Sequence, residues 1–411
     1  MNRKLRVAID CRITDPRQGI GTAVLALAKA LSDSRTSSQE YTFIVLEDMK
    51  GWLAPYVHGP CRLEGIPEST TSSLKAALRR VPALRFLWRK YCAMTDQMPA
   101  SDGFVESQKF DVVHFPTQTG YLTELPTIYQ PWDLQHLHYP QFFSTTEFEC
   151  RERQYRALCR QASYVCVQAE WTKQDLINQY GLTAEKVVVV PWGSVFDAYE
   201  DPSAEEVRAT VEKFSLPRSF FFYPAVTWPH KNHEIICRAL QILESETGLA
   251  PHVYFTGSST DHRAVLDKLA RELGVAEQLH FLGFVSPGEL QSIFKTATAM
   301  IFPSRFEGFG LPILEAFHAG LPVLSSNATT LPEVAHHGAL YFDPDSPAEL
   351  STLMRTILEK PEARRDLAAK GKLVLSRYSA NNTAARLQVL YERTASLGAH
   401  EHQLSAAGAA I

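Results

Sequence analysis

The chain has 411 residues, of which 45% are apolar and 21% charged, and a formal net charge of −4. That length exceeds what one hydrophobic core organises, so two domains are expected, and the slightly acidic balance argues against a general nucleic-acid binder. Seven cysteines, an odd number scattered at 11, 61, 92, 150, 159, 166 and 237 without a Cys-x-x-Cys pair, argue against a disulfide framework and point to a reducing, cytoplasmic setting. The opening "MNRKLRVAIDCR" has no apolar signal core, and no apolar run is long enough to span a bilayer. Membrane contact, if any, is expected to be peripheral, on the inner face.

In chain order, strand-like runs alternate with helical patterns. "LRVAID", "YTFIVLE", "DVVHF", "TIYQP", "YVCVQA" and "KVVVVPW" are followed by "FFFYPAV", "HVYFTG", "LHFLGF", "AMIFP", "PVLSS" and "ALYF". Such alternation predicts an α/β protein of doubly wound parallel sheets. The polar stretch around "DAYEDPSAEE" is the best linker candidate. The predicted division is therefore 1–195 for a first domain, 196–217 for a linker and 218–380 for a second domain. Residues 381–398 are predicted to form a last helix, and 399–411 a disordered tail. Open α/β sheets bind ligands beyond the carboxyl ends of their strands, so a cleft between two such domains is the default site.

In the first half, "GIGT", residues 19–22, follows the first strand and opens a helix, with Gly21 a candidate for close approach to a ligand, although a tight turn explains a Gly-x-Gly equally well. "LKAALRRVPALRFLWRKY", residues 74–91, holds six basic and no acidic residues among apolar ones. It fits an anionic membrane interface or a packed helix with a solvated basic face. "PWDLQHLHYP", residues 131–140, is too polar and aromatic for a buried connection and makes Trp132, Asp133, His136 and His138 site candidates. Two histidines one residue apart also fit a metal, but no third ligand is evident and none is expected.

In the second half, "PHKNH" places Lys231 after a strand, where an ammonium can meet a pyrophosphate. "SRFEGFGLPILEAF" sets Glu307 and Glu315 on either side of a strand-to-helix junction with Gly308 and Gly310 between them. Amide N–H groups at such a helix start suit a phosphate. The carboxylates would then receive hydroxyls on both sides, as in a nucleoside diphosphate sugar. Taken alone, the pair also fits a loop residue and a solvated helix face. "DPD", residues 343–345, reads as a turn and helix cap rather than a metal ligand.

Glu, seven residues, Glu, with "GFGLP" inside, resembles the donor motif of retaining glycosyltransferases of the GT-B fold, family 4 type. "LHFLGFVSPGEL…TTLPEV", "YPAVTWPHKNH" and "DLQHLHYPQFF" are similar to the same family and to its bacterial mannosyltransferase-like members. The resemblance implies two Rossmann-like domains facing a cleft, with the C-terminal helix returning to the first. It implies that Glu315 holds the nucleotide ribose and Glu307 contacts the donor sugar. Phe309, Gly310 and Leu311 would offer backbone amides, Lys231 would meet the phosphates, and Gly21 would face them from the first domain. Trp132 stands where many members have a histidine, leaving Asp133, His136 and His138 as candidates for that role. No arginine precedes Lys231 as in many relatives, and His230 or His233 is the candidate replacement. The implied activity is metal-independent, cofactor-free transfer of a hexose, mannose favoured and GDP-mannose leading, to a glycan or lipid-linked acceptor in surface polysaccharide assembly. Glu307, Lys231 and Asp133 are the expected catalytic set. The rival expectations are a nucleotide-sugar epimerase and a non-catalytic nucleotide-sugar-binding subunit.

Overall fold

The fold is that of a computed structural model, which describes residues 3–12, 19–34, 38–67 and 98–408, with side chains through residue 398. The basic stretch 74–91 lies outside the described residues. The chain forms two compact units, Met1–Pro191 with Ala380–Ile411, and Trp192–Ser379.

The first unit is built on seven strands: β1 Leu5–Asp10, β2 Gln39–Leu46, β3 Cys61–Ile66, β4 Val112–Phe115, β5 Thr127–Tyr129, β6 Tyr164–Val167 and β7 Val187–Val189. They pair in parallel in the order β3-β2-β1-β4-β5-β6-β7. Every residue of β4, β5 and β6 is buried, as both faces of a helix-covered parallel sheet require. The helix Gly19–Ser32 is apolar on nearly every side and correspondingly buried. The last helix, Ala380–Gly408, returns to this unit and packs against the helix Gly19–Ser32 and against strands β1 and β4. In that helix the Tyr391 hydroxyl lies 2.9 Å from His114 Nδ1, and the backbone O of Gln388 accepts from Gln39 Nε2 at 2.9 Å.

The second unit has six strands: β8 Phe220–Pro224, β9 His252–Thr256, β10 Leu279–Phe281, β11 Ala299–Phe302, β12 Val323–Ser326 and β13 Ala339–Phe342. Their order is β10-β9-β8-β11-β12-β13, again all parallel. Its core is aromatic, with Phe220, Phe221, Phe222, Tyr223, Phe294 and Phe302 fully buried.

Three sequence expectations differ from this structure. Strand β3, "CRLEGI", escaped notice because it is a half-exposed edge strand whose Arg62, Glu64 and Gly65 break the apolar signal. The stretch 196–217 is not a free linker. It contains the helix Ala204–Lys213, started by a Ser203–Glu206 capping box, and Phe196 is buried against Phe294 with ring centroids 5.4 Å apart. The predicted tail is helical as far as Gly408, because the last helix runs on past residue 398.

Candidate active site

In each sheet the strand order reverses beside the first strand of the unit, and loops leaving the two strands at such a switch point diverge around a crevice. In the second unit those strands are β8 and β11. Residues 225–232 follow β8 and residues 303–310 follow β11, and the fold thereby brings Lys231 to Glu307. Lys231 Nζ lies 2.6 Å from Glu307 Oε1, and the two side chains are only 21% and 12% exposed.

Hydrogen bonds lace the two loops together. The Tyr223 hydroxyl donates to Lys231 O at 3.0 Å and shares a hydrogen bond with Ser304 Oγ at 3.0 Å. Arg305 N donates to His230 O at 2.8 Å. Asn232 adopts φ +56°, a left-handed conformation that asparagine tolerates, and its Nδ2 donates to Pro303 O and Pro344 O at 3.1 and 2.8 Å. Beyond Glu307, Gly310 turns the chain into the helix Leu311–His318 at φ +100°. A Cβ there would stand 2.8 Å from Leu331 Cδ2, a side-chain end that would have to shift, and the positive φ is what chiefly favours glycine. Phe309 is buried with its ring 6.0 Å from that of Tyr378, and Leu311 is buried at the helix start. The first turn of any such helix leaves amide N–H groups without intrahelical partners.

Glu315 lies one turn into this helix, 8% exposed. Nothing among the described residues offsets its burial, which pushes the carboxyl up to about 8. His233 does not take up the role of the missing arginine. Its ring is buried against Tyr223 and Phe255, and burial holds it neutral with a pKa lowered to about 3. Residues 343–345 form a turn: Asp343 Oδ1 accepts from Asp345 N at 2.8 Å and Glu349 Oε2 from Asp343 N at 2.9 Å. Ser346 then caps the helix Pro347–Glu359, and Arg305 pairs with Asp345. Among the described residues no group of three or more His, Cys, Asp or Glu is arranged to hold a metal.

In the first unit the loop after β5 is pinned at three points. Trp132 adopts φ +73°, is 8% exposed, and donates from Nε1 to Pro116 O at 2.9 Å. His136 is fully buried, with Nε2 2.9 Å from Glu152 Oε2. The same carboxylate accepts from Tyr180 Oη at 2.7 Å and from Arg156 Nε. Packed among Tyr155, Phe143 and Phe148, His136 has no exposed surface through which to meet a sugar, which differs from the sequence expectation and follows from its burial. His138 is partly exposed, and its Nε2 is 2.9 Å from both oxygens of Asp175. Asp133 is half-buried and accepts from Gln135 N at 3.0 Å. Gly21 is buried in the first turn of the helix Gly19–Ser32. At the end of β1, sequence reading passed over a bidentate pair in which Arg12 donates from Nη2 to Asp10 Oδ2 at 2.6 Å and from Nε to Oδ1 at 3.0 Å.

Residues 206–374 match the family described as "Glycosyl transferases group 1", and residues 18–193 match the "Glycosyl transferase 4-like domain". The chain belongs to the glycosyltransferases. This glycosyltransferase is 25% identical over 386 residues to O-antigen chain mannosyltransferase B of Escherichia coli, covering 89% of this chain and 94% of the relative. It is 31% identical over 215 residues to the serotype-specific mannosyltransferase WbdA of Escherichia coli, covering 51% of this chain but 26% of that much longer relative. Among solved structures, Anabaena Alr3699/HepE in complex with UDP and glucose superposes with a TM-score of 0.69 at 17% identity, covering 95% of this chain and 100% of that one. The lipopolysaccharide glycosyltransferase WaaG superposes at 0.64 and 15% identity, covering 94% and 99%. These likenesses show the GT-B fold of the glycosyltransferase. No helix among its described residues is long and apolar enough to cross a membrane.

Proposed function

We propose that this glycosyltransferase moves a hexose, with mannose favoured, from a nucleotide diphosphate sugar to a glycan or lipid-linked acceptor, with retention of anomeric configuration, in surface polysaccharide assembly. One observation carries the reading: the Lys231–Glu307 pair stands at the switch point of the second sheet, followed by a glycine-started helix with a buried carboxyl one turn in. An ammonium beside the amides of a helix start stabilises the negative charge that develops on a departing diphosphate. That arrangement needs no metal, and none is assigned. In this reading, which rests on the motif's resemblance, Glu307 meets the sugar and Glu315 the ribose, while Phe309, Gly310 and Leu311 supply the turn around the phosphates. The first unit contributes Gly21, Trp132, Asp133 and His138 as candidates for the sugar and the acceptor.

Mannose rests on the mannosyltransferase relatives, and retention on the resemblance of the Glu307–Glu315 motif. Thermal-shift screening against GDP-, UDP-, dTDP- and ADP-sugars tests the donor. A stabilisation confined to GDP-mannose supports the reading, and one confined to another donor replaces it. NMR of the product's anomeric proton then tests retention.

The six basic residues of 74–91 are proposed to hold the protein on an anionic cytoplasmic membrane face, each near-surface charge contributing about 1 kcal/mol. Reversing Arg79, Arg80, Arg89 and Lys90 together should release it from anionic vesicles. Sedimentation indifferent to that change, and to salt, would reject the membrane role.

A further inference from the structure

Thr329 lies in the turn between β12 and the short helix Leu331–Ala335, and its φ is +48°. A β-branched residue is strained in this left-handed region, where its Cβ crowds the following carbonyl and where glycine or asparagine sits with little penalty. Such strain persists where the surroundings over-determine the conformation, which at Thr329 they do through its hydroxyl. Oγ1 accepts a hydrogen bond from Glu307 N at 3.1 Å and donates one to Glu307 O at 3.0 Å. The neighbouring Thr330, fully buried, donates to Glu307 O at 3.1 Å and to Phe309 O at 3.2 Å. Residues 303–310 belong to no strand or helix. The backbone of Glu307 therefore takes its order from a turn 22 residues further along the chain, while its carboxylate reaches Lys231. Asn232, also left-handed, does the corresponding work beside Lys231 by tying down Pro303 O and Pro344 O.

We propose that Thr329 is a positioning residue: its hydroxyl, carried on a left-handed backbone, clamps both backbone groups of Glu307 so that the carboxylate is held at the Lys231 ammonium, where the sugar end of the donor is bound. The role of Glu307 in that sentence rests on the function proposed above, whereas the clamp itself does not. A loop residue left free to wander loses alignment with the reacting bond, and small misplacements of this kind lower turnover more than binding.

The test uses the full-length protein with Thr329→Gly and Thr329→Ser, each made with Glu307 present and in a Glu307→Ala background. GDP release from GDP-mannose in water measures turnover, and calorimetry with GDP measures nucleotide affinity. Thr329→Gly should lower kcat about tenfold with GDP affinity unchanged within about twofold, and Thr329→Ser should restore it. In the Glu307→Ala background Thr329→Gly should cause no further loss. The same fold-loss in both backgrounds, or failure of serine to rescue, overturns the proposal. Hydrogen exchange on the unliganded protein supplies an arm independent of activity. Peptides covering 304–310 should exchange faster in Thr329→Gly and not in Thr329→Ser, and unchanged exchange in the glycine variant overturns the clamp. If the unmutated protein neither binds GDP nor releases it from GDP-mannose, the donor reading fails, and the exchange arm still decides the clamp.

Discussion

Lys231 and Glu307, 76 residues apart in the chain, close an ion pair of 2.6 Å across the switch point of the second sheet. The pair is neutral as a unit and sheltered from solvent, so removing either member leaves the other uncompensated. Glu307→Ala should lower turnover by about 100-fold while changing GDP affinity far less, because its assigned contact is to the sugar. Lys231→Met should weaken GDP binding by about 1.5 to 3 kcal/mol, the usual value of a hydrogen bond to a charged group. Calorimetry beside steady-state kinetics checks both, and equal loss of binding and turnover in Glu307→Ala would move that residue to the nucleotide.

Glu315 should make folding stability depend on pH. Its folded-state pKa of about 8 lies above the usual carboxylate range, so the folded protein keeps a proton that the unfolded chain releases. Stability should then fall as pH rises from about 4.5 towards 8, by up to about 1.4 kcal/mol per unit. In Glu315→Gln, which has no such proton, the slope should flatten. Urea unfolding between pH 5 and 9 compares the two, and parallel curves would contradict the assigned pKa.

The same residue predicts a proton linkage in binding. Ribose hydroxyls donating to Glu315 favour its charged form, so nucleotide binding at pH 7 should release a fraction of a proton. Calorimetry in buffers of different ionisation enthalpy measures it. Glu315→Ala should abolish the release and weaken binding by about 1 to 3 kcal/mol. Unchanged affinity in that variant would remove Glu315 from the ribose.

Activity should survive EDTA, and Asp343→Asn should be nearly silent, since an amide oxygen can still accept from Asp345 N and close the turn. A chelator-sensitive enzyme rescued by manganese would reverse the reading of 343–345.

His136→Ala should cost stability rather than recognition. It opens a cavity among Tyr155, Phe143 and Phe148 and deprives Glu152 of one of its three partners. The expected loss is about 2 to 4 kcal/mol by urea unfolding, with GDP affinity unchanged. An unaltered unfolding midpoint would contradict the structural assignment.

Much of this protein is legible in its sequence because the signals are local. Runs such as "FFFYPAV" and "AMIF" read as strands buried on both faces, and their alternation with helical patterns gave two parallel sheets. Glu307, Gly310 and Glu315 are positioned by eight consecutive steps of chain, so their shared loop and helix could be read directly. The capping box at Ser203–Glu206 was equally local, and it marks the helix that the linker expectation passed over. Tertiary structure decided what depends on sheet order. No periodicity tells that β11 lies beside β8, yet that adjacency alone brings Lys231 to Glu307. Burial of His136 was likewise invisible, because a polar loop sequence does not show that Glu152, from a separate helix, waits to satisfy it. Thr329 carried no signal at all: its hydroxyl acquires a role only when β12 sets the following turn beneath the loop from β11, a contact between segments whose spacing in sequence fixes nothing about their distance in space.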